Sequence, residues 1–286
     1  MCWHVLGVQF YRDPAVRPKG TLVFSGMKKK KATQRRKPPS RDSRIPALGK
    51  IAKGNYIDFE GFANKHQKFP PPVLIGTFDA SDGVDFPSGF RQVVFTEKFR
   101  YAGEDARADH LVEYLPDRDG FLEKLVEKSG FGNPVFAYSE YEFNQLTHQL
   151  AKQFEKEGTE ELASDSADKL ELIKQSAEAR ASKQLGRRYR NVKLIAARWC
   201  RNNIPDDLPG EWSLHELAQA MGLSVTKKLP RGGVTSRLRL VKEYSGSKRR
   251  WEGAPSKARK AWLEVLQHNL ADVKLIFEMM NRIRPK

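Results

Sequence analysis

The chain is poor in cysteine: 286 residues contain only Cys2 and Cys200. Two thiols so far apart provide neither the ligands of a zinc site nor a disulfide framework, and the setting they leave is a reducing, cytoplasmic compartment. No run approaches the ~20 apolar residues that a membrane-spanning helix requires. Residues 1–26, MCWHVLGVQFYRDPAVRPKGTLVFSG, lack the basic start, continuous apolar centre and small-residue cleavage site of a secretory signal. Met27, directly before KKKK, is an alternative start for the protein. No internal repeat is visible, which argues against a repeat architecture.

Acidic residues are also scarce relative to basic ones, 35 against 51, for a net charge of +16. Such an excess implies a polyanionic partner, nucleic acid first and an anionic membrane surface second. The charge is concentrated. Residues 27–54 carry eleven Lys/Arg against one Asp, and residues 224–261 carry twelve against two Glu, a net of +10 each. Together they exceed the charge of the whole chain, so the remainder is mildly acidic. Lys227, Lys228, Arg231, Arg237, Arg239, Lys248, Arg249 and Arg250 in the second strip are the candidate contacts to a nucleic-acid backbone. Tyr244 and Trp251 in the same strip either stack on bases or anchor the segment.

What is present is a full complement of core-forming residues, 39% hydrophobic with 16 Phe. Residues 1–53 read as a disordered basic arm and residues 54–286 as one α/β domain, with a flexible basic insertion at about 224–261. Strand signals occur at YIDFEGFA, VLIGTFD (73–79), FRQVVFTE (90–97) and PVFAYSE (134–140), with Gly-, Asp- and Pro-rich turns between the first three. RDGFLEKLVEKSGFG reads as a short amphipathic helix, and YEFNQLTHQLAKQFEKE as a longer one with Phe143, Leu146, Leu150 and Phe154 on one face. Residues 159–203 read as helical and polar, ending in VKLIAARWC. WSLHELAQAMGL has Ser213 and Glu216 as a capping box and Gly222 as a stop. The last helix, KARKAWLEVLQHNLADVKLIFEMMNRI, is expected to bury Leu263, Leu266, Leu270, Val273, Phe277 and Met280.

GNYIDFEGFA, residues 54–63, raises a chemical question. Asp58 and Glu60 are two apart on a hydrophobic strand and therefore point to the same face. Paired anions there cost several kcal/mol unless a cation compensates. Late in the chain, HNLADVK sets His268 and Asp272 four apart, one turn from each other on a helix. Asn269 reads as a helix-surface residue. His4, His66, His110, His148 and His215 show no ligand spacing.

An Asp-x-Glu on the first strand, an acid after a later strand and a His-x-x-x-Asp on a late helix resemble the DEDD exonucleases of the ribonuclease-H-like superfamily. The similarity is closer to the ribonuclease-H-like domain of predicted RecB-family nucleases. There a strand ends in Tyr before a helix opens with Tyr-Glu, as in VFAYSEYEFNQL, and a Ser-Leu helix runs into Leu-Gly ahead of Asn-x-x-Asp; here these are WSLHELAQAMGL, with Met-Gly in place of Leu-Gly, and HNLADV. The resemblance spans about residues 54–283. It implies a ribonuclease-H-like mixed sheet flanked by helices and two-metal phosphodiester hydrolysis, as a 3′–5′ exonuclease on DNA or RNA. It further implies that Asp58, Glu60, Glu142 and Asp272 bind two Mg²⁺ or Mn²⁺ ions and that His268 handles the attacking water. Glu142 stands where most members have Asp, and Glu140 competes for that position. The alternative is an inactive nucleic-acid-binding module of the same fold.

Overall fold

The computed structural model describes residues 46–62, 70–80, 85–86, 88–100, 102, 111–129, 133–160, 167–210, 212–225, 229, 233–245 and 253–283. The arm at 1–45 and Lys227, Lys228, Arg231, Lys248, Arg249, Arg250 and Trp251 lie outside them, as do His4, His66, His110 and Cys2.

The acid-bearing strand, β1 (Asn55–Gly61), runs through the middle of a six-stranded mixed sheet. Its partners are β2 (Pro72–Asp79), β3 (Phe90–Val94), β4 (Leu111–Tyr114), β5 (Val135–Ala137) and β6 (Tyr189–Asn191), in the order β4-β3-β2-β1-β5-β6. Hairpin pairing makes β2 antiparallel to β1 and to β3, and the remaining pairs are parallel. Thus β2 alone runs against the others.

The described residues include eight α-helices, α1 (Leu48–Ile51), α2 (Arg118–Lys128), α3 (Glu140–Glu160), α4 (Ala167–Gly186), α5 (Val192–Asn203), α6 (Leu214–Ala220), α7 (Gly233–Ser245) and α8 (Ser256–Ile283), and two short 3-10 turns. They cover both faces of the sheet, which is why the central strands are apolar almost throughout. Ile57 and Phe59 project from β1 into a cluster with Leu122 and Leu125 of α2, Leu146 and Leu150 of α3, and Ala181 and Leu185 of α4. Tyr56 projects to the opposite face, among Ile195 of α5, Leu217 of α6 and Val273 and Ile276 of α8. A third cluster joins Leu74 and Val94 to Leu238 and Val241 of α7 and Trp262 of α8.

Several expectations change. The basic arm was expected to reach residue 53, yet Ile51 is fully buried and its carbonyl accepts a 2.7 Å hydrogen bond from the Tyr56 hydroxyl. The folded body therefore starts ahead of residue 54. The insertion at 224–261 is not a flexible strip over its described part. Leu238 and Val241, three apart, bury one side of α7 against α8, while Arg239 and Lys242 stay exposed. The helical stretch expected at 159–203 is two helices separated by β6. Neither β4 nor β6 was foreseen, because three or four residues leave too short an alternation to read. On α8, Leu263 is 44% exposed. The buried stripe is Trp262, Leu266, Asn269, Val273, Ile276 and Met280, spaced alternately by four and three. Among the described residues no helix is long and apolar enough to cross a membrane.

Candidate active site

The parallel strand β5 pairs with the first residues of β1, Asn55 with Val135 and Tyr56 with Phe136. Chain leaving the carboxyl end of β5 therefore passes beside the later residues of β1, where Asp58 and Glu60 stand, and carries Glu142 to them. Asp58 and Glu60 sit on the Tyr56 face of β1. Their carboxyls interact with each other, and Glu60 also feels Asp272 and Glu142. His268 completes the group: its Nε2 is 3.9 Å from Glu60 Oε1, and its Nδ1 is 3.6 Å from Asp272 Oδ1. All five residues singled out from the sequence therefore converge, although β1 and the far end of the cluster are more than two hundred positions apart.

Asp58 is held from below. Across the sheet it registers with Gly76, which registers with Gln92. Asn269, fully buried on α8, lies over the glycine. Its amide donates to Asp58 Oδ2 at 2.8 Å and to the Asp58 carbonyl at 3.1 Å, while its oxygen accepts from Gln92 Nε2 at 2.9 Å. A β-carbon at position 76 would come within 2.2 Å of the Asn269 oxygen, so glycine is what permits the approach. The surface role expected for Asn269 is thus incorrect: it is the link between helix and strand. Its signal was present in the sequence as an Asn on the buried spacing of α8, seven residues after Trp262.

Glu142 is held from the side. Its Oε2 accepts from the Ser139 hydroxyl at 2.6 Å and the Ser139 amide at 3.2 Å, and Ser139 Oγ accepts from the Tyr141 amide at 3.1 Å. This is a capping box at the start of α3, readable in SEYE but not foreseen. Glu142 is 3% exposed, whereas Glu140 is exposed on the same turn, so the competition between them resolves toward Glu142.

The electrostatics follow from crowding. Burial pushes Asp58 up to about 6, partly offset by the Asn269 hydrogen bond. Burial and the Asp58 charge push Glu142 up to about 8, against the Ser139 hydrogen bonds. Glu60 rises well above the ordinary range, through burial first and then through Asp58, Asp272 and Glu142. The shared cause is the poor hydration of buried anions, reinforced by their mutual repulsion.

One member went unrecognised. His215, in the first turn of α6, is 8% exposed and sets Nε2 3.8 Å from Asp272 Oδ1. Its ring lies 6.1 Å from that of His268, nearly parallel. The Ser213 cap, accepting from the Glu216 amide at 3.3 Å, starts α6 as expected, and the Tyr138 hydroxyl donates to the Trp212 carbonyl just ahead of it. Gly222, at φ 74°, ends it. The tertiary pairing of positions 215 and 268 has no periodic trace in the sequence.

Of the proposed backbone contacts, two are described. Arg239 is exposed. Arg237 is not available in the manner expected: its guanidinium pairs with Glu264 of α8 and donates to the Gly233 carbonyl at 3.1 Å. It fastens α7 to α8. Tyr244 is partly buried against the same cluster, as an anchor.

No protein-family model, curated protein or solved structure matches this chain.

Proposed function

We propose that the protein is a metal-dependent nuclease of ribonuclease-H-like architecture, acting as a 3′–5′ exonuclease on DNA or RNA. The observation that carries this reading is the meeting of four carboxylates, Asp58, Glu60, Glu142 and Asp272, beside His268 on one face of the central strand. The sheet supports it as well. A mixed sheet with helices on both faces is what the resemblance to that architecture implies.

The donor set fits hard divalent cations. Carboxylate oxygens brought together from three separate elements suit Mg²⁺ or Mn²⁺. Asp58, Glu60, Glu142 and Asp272 would hold two such ions. Bound there, the pair supplies Lewis-acid polarisation of a phosphodiester and neutralisation of charge at its leaving oxygen. The protein's own residues do the rest. Asn269 orients Asp58, and Ser139 orients Glu142. His268, an imidazole standing between Glu60 and Asp272, accepts the proton of the attacking water. Arg239 and Lys242, exposed on α7, contribute sequence-independent attraction for phosphates. Lys242 Nζ lies 5.0 Å from the Phe62 ring, just past the end of β1, which brings this basic helix to the edge of the acid pocket.

The test uses end-labelled single- and double-stranded DNA and RNA with Mg²⁺ or Mn²⁺, beside Asp58→Asn. A one-nucleotide ladder receding from the 3′ end with the native protein, and none with the variant, is the expected result. Equal activity of the purified variant would remove the proposal. Binding without cleavage by the native protein would favour an inactive nucleic-acid-binding module.

A further inference from the structure

We infer that the pocket contains a second kind of metal site, made by His215, His268 and Asp272 and suited to a borderline cation such as Zn²⁺. The nitrogen and oxygen ligand atoms of these residues all lie within 4.8 Å of one another. Two of the spacings are 3.6 and 3.8 Å, from His268 Nδ1 and His215 Nε2 to the same Asp272 oxygen. A tetrahedral zinc ion with bonds near 2.0–2.1 Å requires ligand atoms about 3.3–3.4 Å apart. The observed positions need to close by only a few tenths of an ångström along those two edges. The ligand types also differ from those of the acid cluster. Two imidazoles and one carboxylate suit Zn²⁺ or Co²⁺, whereas oxygen-only sets suit Mg²⁺ and Mn²⁺. Three protein ligands leave room for a water or an additional group.

The site is built by tertiary structure rather than by chance on a mobile surface. His215 is fixed in a capped first turn of α6, His268 and Asp272 are one turn apart on α8, and the three side chains are 10%, 16% and 14% exposed. Both helices pack on the same apolar cluster.

The consequence for activity rests on the nuclease reading. Zn²⁺ bound here occupies His268 and Asp272 together, taking from the acid cluster one of its ligands and from the water its proton acceptor. Zn²⁺ then acts as a competitive brake on a Mg²⁺-dependent reaction, and His215 is the residue that confers sensitivity to it.

Metal binding separates the two ideas. The full chain, stripped of metal, is titrated with Zn²⁺ by calorimetry and with Co²⁺ by visible absorption, without nucleic acid. Intense Co²⁺ bands of a four-coordinate, nitrogen-bearing site are expected. His215→Ala, checked for folding by its circular dichroism, should weaken Zn²⁺ binding by more than the ~10–100-fold that loss of an outer partner costs. Glu142→Gln should instead weaken Mn²⁺ more than Zn²⁺. Weak octahedral Co²⁺ bands in the unaltered protein, or unchanged Zn²⁺ affinity in His215→Ala, would overturn the inference and leave the nuclease reading standing. His215-dependent Zn²⁺ binding in a protein that cuts nothing with Mg²⁺ would support the site while removing the nuclease.

Discussion

The two faces of β1 differ in kind. On one, Ile57 and Phe59 meet hydrocarbon from α2, α3 and α4. On the other, Tyr56 begins in an equally dry core, but Asp58 and Glu60 follow it into a pocket of acids and histidines. The alternation of a strand delivers both faces from seven residues. The lesson lies in how the polar face is tolerated. Asp58 is compensated by an amide from Asn269, itself supported by Gln92, while Glu60 is buried among other carboxylates, which hold its carboxyl well above the ordinary range. One acid is positioned by the fold. The other waits for a cation.

Breaking the polar face should have the largest effect on activity. Asp272→Asn or Glu60→Gln is expected to lower cleavage at least about a thousandfold, about 4 kcal/mol of transition-state stabilisation. The same changes should raise the melting temperature of the metal-free protein by relieving repulsion. A variant that loses activity and also stability would instead mark a structural acid. The opposite face should respond in reverse. Phe59→Ala is expected to cost about 3–5 kcal/mol of stability by denaturant titration, with metal affinity of the folded fraction little changed.

A pH series sharpens the contrast. With Asp58 near 6, Glu142 near 8 and Glu60 raised well above the ordinary range, the folded chain holds protons that its unfolded form releases at ordinary values of 3.8 and 4.5. Their contribution to stability is full below about pH 4 and is lost as pH rises through about 6 and then about 8. With chelator present, the melting temperature should therefore fall from pH 5 to pH 9 more steeply in the native protein than in Glu60→Gln. Saturating Mn²⁺ should flatten the curve. Identical slopes for the two proteins would contradict this account.

A smaller effect tests the link between the faces and α8. Gly76→Ala forces the Asn269 amide aside and should cost about 1–3 kcal/mol, the range for an unsatisfied buried polar group, and weaken metal binding along with stability. If metal affinity were unaltered, Asn269 would not be positioning Asp58.

Much of this site was legible because each of its acids follows a local rule. Asp58 and Glu60 are two apart on a strand, His268 and Asp272 four apart on a helix, and Glu142 opens a helix just past a strand. Two members escaped, for different reasons. His215 meets Asp272 only because α6 and α8 share a core, and Asn269 looked like surface because Leu263 suggested the wrong stripe for α8. The central strands were readable from their alternation, whereas β4 and β6 owe their existence to neighbours, Arg91 to Val94 for one and Val135 to Ala137 for the other. The basic segment misled through composition. Its charges are obvious, but the two apolar residues that make α7 a packed helix are easily overlooked among them.

The helix α8 is 28 residues long and without a break. Glu264, which fastens the cationic helix α7 through Arg237, precedes His268 by four residues, about 6 Å of rise. A polyanion seated on α7 would thus be gauged against the reacting groups by a single rigid turn. Any shift of that rod would carry the grip and the acid–base pair together, and their relative spacing would survive the movement.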